Sequence, residues 1–212
     1  MGVTTGRTLR EGATVKRAAI LAAANELFVA DGFERVSVDA VAAHAGVSKR
    51  TVYDYFGDKG SLLVAVSEEL GSSIVSAIEE AITAELSGVR SVAAIEAAFT
   101  AFCSRIASST IKSAEYRALR RLLTMESDRL GPLVEHLISN APEEALAAEL
   151  IAMDRRGLLS IPRPRVAADH FIALTFSIVY NDVFGSPQRT EAEIDDLLSE
   201  GVRAFLRAYA VP

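Results

Sequence analysis

The segment from Ser37 to Lys59, SVDAVAAHAGVSKRTVYDYFGDK, gathers side chains suited to holding phosphates and reading base edges rather than to breaking bonds. Lys49 and Arg50 follow Ser48 directly, and Thr51, Tyr53 and Tyr55 come next. Arginine is a bidentate donor to guanine O6 and N7, and hydroxyls and methyls suit phosphate oxygens and thymine. Lys59 stands where a further helix would begin, so its charge and the free backbone N–H groups there could hold a phosphate together. Other chemistry is sparse. The one cysteine, Cys103, excludes an intramolecular disulfide and a cysteine-based zinc site. His44, His136 and His170 are not at metal-ligand spacing. Asp169 and His170 are neighbours, and on a helix neighbours diverge by about 100° and cannot act as a pair. No catalysis, metal or cofactor is expected.

Two short helices must position these groups. Ser37 can cap the first and Ser48 the second, each accepting a backbone N–H in the first turn. Neither helix buries much alone, so they must cross, and Ala42 is small enough to let the backbones approach. Gly46 supplies the positive φ that the tight turn needs. Val41, Ala45, Val47 and Val52 provide small apolar contacts that set the crossing angle. This is helix-turn-helix spacing, in which the second helix enters the major groove with its N-terminal residues at the base edges. Taken singly these residues are ordinary: a glycine between helices, a solvated Lys-Arg pair, a half-buried tyrosine. The joint pattern is far more specific. Asp54 would repel phosphate if it faced a duplex, and is expected to point away or to accept from cytosine N4.

The chain has 212 residues, half of them hydrophobic and 24% charged, enough for one or two domains with a real core. Residues 1–60 carry eight Lys or Arg against seven Asp or Glu, and residues 61–212 carry fourteen against twenty-one. That balance does not advertise nucleic-acid binding, but the local field at the contact face decides. All six prolines fall at or after position 132, and strand-like alternation is absent. Helical spacing appears at Ile20, Ala23, Leu27 and Phe28, ending at Asp31-Gly32. It recurs at Val92, Ile95, Phe99, Phe102 and Ile106, and at Tyr116, Leu119, Leu122 and Leu123. Thr190 to Glu193 is a capping box opening a helix with Ile194, Leu198, Phe205 and Tyr209. Breaks fall at Ser87-Gly88, Gly131-Pro132, Ala141-Pro142, Ile161 to Pro164 and Gly185 to Pro187. The reading is an all-α chain of about nine helices. A flexible arm (1–12) precedes a helix-turn-helix domain (13–60) and a helical bundle (61–212). The longest uncharged run near the C-terminus, His170 to Asn181, is too short for a membrane span, and no secretory signal is visible.

The segment from Val15 to Leu63 resembles the N-terminal domain of TetR/AcrR-type transcriptional regulators. The matching features are Ala23, Phe28, Gly32-Phe33, Val38, Val41-Ala42, Ala45-Gly46-Val47-Ser48, Thr51-Val52-Tyr53, Tyr55-Phe56, Lys59 and Leu62-Leu63. The resemblance implies that Tyr53, Tyr55 and Lys59 hold phosphates, with Lys49, Arg50 and Thr51 nearest the bases; the capping residues Ser37 and Ser48 complete the expected DNA-binding set. Gly60 departs from the family, where an acidic residue is common. The C-terminal part resembles the family's AefR-like subgroup through Tyr116 to Leu123, Gly157-Leu158-Leu159 and Pro164 to Phe184. That implies a bundle that dimerises through its last two helices and encloses a ligand cavity.

The expected function is a cytoplasmic, homodimeric repressor, released from a pseudo-palindromic double-stranded DNA operator by a small apolar inducer. The expected inducer pocket combines Phe99, Phe102, Cys103 and Ile106 with Tyr116, Leu119, Leu123, Phe176, Tyr180 and Asn181. The competing reading of each is an ordinary core residue. Cys103 on an apolar face is a poor redox sensor, because burial raises a thiol's pKa. Gly71, inside the fourth helix, is either a flexible point that couples ligand to DNA or the site of a close helix crossing. Two further readings remain: a helical small-molecule carrier with a vestigial helix-turn-helix, and a ligand-independent DNA-binding protein.

Overall fold

A computed structural model describes residues 4–125, 141–180 and 189–211. Among these the chain is all-α: α1 (Thr4–Asp31), α2 (Val38–His44), α3 (Lys49–Phe56), α4 (Lys59–Ala81), α5 (Val92–Ser109), α6 (Ala114–Met125), α7 (Ala141–Arg155), α8 (Pro164–Ile172) and α9 (Glu191–Tyr209). Two helices continue through π-helical turns, α4 over Ile82–Leu86 and α8 over Ala173–Ser177, the latter followed by Ile178–Tyr180. The breaks expected at Gly131-Pro132 and Gly185 to Pro187 lie outside the described residues.

The helix ends follow local chemistry. α1 stops where Gly32 takes φ +84° and its N–H returns to the carbonyl of Phe28 at 3.0 Å. The Thr190 side chain caps α9 while Glu193 reaches back to the Thr190 N–H, completing the capping box. α1 begins at Thr4, so most of the expected arm is helical instead. The stretch contains no proline to prevent that, and proline is the residue that would. The Ala141-Pro142 break is the start of α7, with the proline in the first turn, where its missing N–H costs nothing.

The chain divides into two compact units, Met1–Ser72 with Ala118–Ile138, and Ser73–Arg117 with Ser139–Pro212. The first unit thus runs past residue 60 to Ser72, and part of α6 belongs to it. The reason is that α4 serves two cores: Leu62, Leu63 and Val66 are buried in the first, Ala81 in the second, where Ile82 and Leu86 of its π turn join it. α4 passes through Gly71 without a break. The helix Lys59–Leu86 is long and apolar enough, by length and composition, to cross a membrane, with mean hydropathy 1.4. A search for uncharged runs passes over it because Glu68 and Glu69 interrupt it. Its buried apolar residues are those that fill the two cores.

In the first unit, Ile20, Ala24 and Phe28 of α1 pack with Phe33, Val36, Val41, Ala42, Val52, Leu62 and Leu63. Phe28 and Phe33 meet edge to face at 5.3 Å. Fully burying side chains of this size contributes about 1.5–3 kcal/mol each. In the second unit, Phe99 and Phe102 of α5, Phe171 of α8 and Phe205 of α9 form the centre, with ring centroids 5.1–6.1 Å apart where they touch. Val92, at the start of α5, is half exposed and outside this core. Gly201 permits a close crossing: a Cβ there would lie 2.1 Å from the Leu174 carbonyl oxygen.

Candidate nucleic-acid interface

The α2–α3 corner is built from local signals. Ser37 Oγ accepts the Ala40 N–H at 3.1 Å, and Ser48 Oγ accepts the Thr51 N–H at 3.1 Å. Between them Gly46 takes φ +66°, and the Val47 N–H returns to the Ala42 carbonyl at 2.9 Å. Ala42 is buried, consistent with its expected place at the crossing. α3 is anchored by Val52, its one fully buried side chain, and by partly buried Phe56. Most of its surface therefore faces outward.

Arg50 is the most exposed cation here, with 89% of its side chain accessible, and it lies 3.8 Å from Asp54 one turn on. Asp54 is thus turned along its own helix toward Arg50. Lys49 Nζ donates to Asp39 Oδ2 at 2.8 Å, tying the first turn of α3 to the first turn of α2. That hydrogen bond and the Asp39 charge raise the Lys49 pKa above the ordinary lysine value. Thr51 Oγ1 and Ser48 Oγ are hydrogen-bonded at 2.8 Å. Tyr53 is 43% exposed and its hydroxyl has no hydrogen-bond partner among the described residues. Ser37 is exposed beside its cap.

Two expected phosphate contacts are already engaged within the protein. Tyr55 donates its only hydroxyl proton to the Ala13 carbonyl of α1 at 3.1 Å. Lys59 Nζ donates to the carbonyls of Phe33, Glu34 and Val36 at 2.8, 3.3 and 3.0 Å, and lies 4.3 Å above the Phe33 ring centroid. Its ammonium closes the α1–α2 connection by binding three of its carbonyls, instead of pointing to solvent. The start of α4 is also capped: Asp58 Oδ1 accepts the Ser61 N–H at 2.7 Å, and this backbone bond lowers the Asp58 pKa. A side chain at position 60 would begin 3.2 Å from that oxygen, so Gly60 leaves the cap room. The residue that sequence reasoning passed over is Asp39. An acid in a helix's first turn reads as a dipole partner, and nothing local shows that it reaches Lys49.

In the second unit, Phe99, Phe102, Cys103, Ile106 and Phe176 are all buried in the core. Burial raises the Cys103 thiol pKa far above its ordinary value. Tyr116 is partly buried. The side chains of Leu119, Leu123 and Tyr180, and all of Asn181, lie outside the described residues. A shallow groove of about 540 Å³ lies elsewhere, lined by Ser76, Glu79, Glu80, Thr83, Ala84 and Arg105, and includes none of the expected pocket residues. His170 Nδ1 bonds the Tyr209 hydroxyl at 2.7 Å and Asp169 pairs with Arg165, so these neighbours do not act together. No group of three or more possible metal ligands occurs among the described residues.

Residues 20–66 match the family model for bacterial regulatory proteins of the tetR family, and residues 97–211 match that for the C-terminal domain of AefR-like transcriptional repressors. The chain belongs to the TetR family. As a family member it is a DNA-binding transcriptional regulator and not an enzyme. The HTH-type transcriptional activator FasR of Mycolicibacterium smegmatis (strain ATCC 700084 / mc(2)155) is 36% identical over 67 residues, 32% of this chain and 31% of FasR. The match thus spans about a third of that relative's length. A protein described as a TetR-family transcriptional regulator, from Mesorhizobium loti MAFF303099, has a TM-score of 0.83 at 27% identity, over 94% of this chain and 98% of its own. The Flavonoid-responsive Regulator FrrA has a TM-score of 0.63 at 28% identity, over 92% of this chain and 97% of its own.

Proposed function

We propose that this TetR-family chain is a homodimeric repressor that binds a pseudo-palindromic operator through α2 and α3 and releases it when a small apolar molecule enters the C-terminal unit. The observation that carries the DNA half is the α2–α3 corner: two capped helices, a left-handed glycine turn, and a second helix held by Val52 and Phe56 with Arg50 and Tyr53 facing solvent. Arg50 reads a base edge and Tyr53 donates to phosphate, with Lys49 and Thr51 beside them. Ser37 and Ser48 support the contact as caps. Lys59 and Tyr55 act indirectly, by fixing α3 and its neighbours.

Two half-sites one helical turn apart, about 34–36 Å, require a two-fold dimer. The segment Ile178–Tyr180 and α9 supply its interface, and the exposed Ile178 supports that choice. Inducer binding is supported by the aromatic core of the second unit and by the match to the AefR-like domain. FrrA's flavonoid response suggests aromatic polyphenols as first ligands to try. Binding to one of two states lowers operator affinity by the ratio of the ligand's affinities for them. A second reading, activation, is favoured by the partial match to FasR.

The experiment is fluorescence anisotropy of the full chain on duplexes from upstream of its own gene and adjacent genes, with a flavonoid set then added. A transcriptional reporter runs in parallel. Repression relieved by a compound that also lowers anisotropy supports the proposal. Transcription that rises with the protein makes it an activator. Binding that no compound alters removes the inducer.

A further inference from the structure

We infer that Asp39 is a specificity-determining residue, acting with Lys49 as one unit that selects a G·C pair in each half-site; this rests on the DNA-binding reading above. Lys49 stands at the first position of α3, the base-reading end of a helix-turn-helix. Its ammonium is bound to Asp39 Oδ2 at 2.8 Å, and both side chains are more than half exposed, at 53% and 63%. Nothing in the protein core requires this pair, since neither group is buried. The remaining Asp39 oxygen is not needed by Lys49, and the remaining ammonium protons are not needed by Asp39. The pair therefore presents an acceptor and donors side by side. A G·C pair in the major groove offers the complement: guanine N7 and O6 accept, and cytosine N4 donates. An A·T pair offers a different pattern, with adenine N6 as donor and thymine O4 as acceptor flanked by the methyl group.

A carboxylate at this corner is otherwise a liability, because against phosphates it only repels. The unit also restrains Lys49. A lysine is a flexible point charge that contacts phosphates without regard to sequence; held by Asp39 it is kept at the corner. Asp39 thereby costs nonspecific affinity and gains discrimination.

The test is selection from a randomised duplex library with the full-length wild type, Asp39→Ala, Asp39→Asn and Lys49→Ala, with circular dichroism confirming that each is folded. The wild type should prefer G·C at one position per half-site by about 5- to 150-fold, the range of a good base contact. Asp39→Ala and Lys49→Ala should lose the preference there alone, and Asp39→Asn should move it toward A·T, since asparagine pairs with adenine. If Asp39→Ala keeps every base preference and only binds all duplexes more tightly, Asp39 is a simple repulsive charge and the inference fails. If the wild type selects no sequence while still binding DNA, the inference fails but the DNA-binding reading stands. If the wild type binds no duplex, both fall.

Discussion

Replacing Lys59 with methionine separates a structural cation from a phosphate-binding one. The stem is kept and only the ammonium is removed. In the structure that ammonium serves three carbonyls, of Phe33, Glu34 and Val36, and the face of the Phe33 ring. A hydrogen bond to a charged group contributes about 1.5–3 kcal/mol where water is excluded, and a cation–π contact about 0.5–1 at an exposed site. The group is partly buried, so water replaces much of what is lost. The Glu34 bond is also the longest and most exposed of the three. The net cost is then about 2–4 kcal/mol, roughly the worth of one well-protected contact plus a fraction of the others. For a chain of this size that lowers Tm by on the order of 5–12 °C. Differential scanning calorimetry of wild type, Lys59→Met and Arg50→Ala measures it. Arg50→Ala should melt with the wild type, because surface truncations cost little. Operator affinity of Lys59→Met, measured well below its Tm, should stay within a few-fold of wild type. An unchanged Tm together with a large loss of salt-dependent DNA binding would refute the reasoning and return Lys59 to the phosphates.

Gly201→Ala should destabilise by about 1–3 kcal/mol or more, since its Cβ would lie 2.1 Å from the Leu174 oxygen and the two helices must part; urea unfolding reads it. Cys103 should resist Ellman's reagent in the native protein and react fully once unfolded, because burial holds the thiol protonated and covered; rapid native labelling would contradict that. Glu193 accepts from the Thr190 backbone and hydroxyl, which lowers its pKa. The folded state therefore favours its ionised form, and the box stabilises above the ordinary glutamate pKa and loses that effect as pH falls through the lowered value. Wild type should be more stable than Glu193→Ala at neutral pH and converge with it in acid, as seen in Tm across pH.

Most of what was legible in the sequence was local. Ser37, Ser48 and Thr190 cap through atoms three residues away, and Gly46 closes a turn within one segment, so residue type and spacing suffice. Ile20, Phe28, Phe99 and Phe205 announce burial through helical spacing alone. What the sequence concealed depends on distant backbone. Lys59 finds carbonyls more than twenty residues back, Tyr55 a carbonyl in α1, and Lys49 an acid on the preceding helix. The same side chains would serve DNA if those partners lay elsewhere. That the first unit runs on to Ser72 depends on α4, one unbroken helix whose buried residues fill two cores. Helical spacing marks Phe99 and Phe102 as inward-facing, but whether space for a ligand lies among rings is set by packing across several helices.

The most direct test of the central claim is a titration of the purified full-length protein with the DNA upstream of its own gene, at two salt concentrations, beside Lys49→Ala/Arg50→Ala. Specific binding that weakens with salt in the wild type and is lost in the folded double variant is the predicted result. Binding that is equally strong in the double variant, or none by a folded wild type on any fragment with or without ligand, would contradict it.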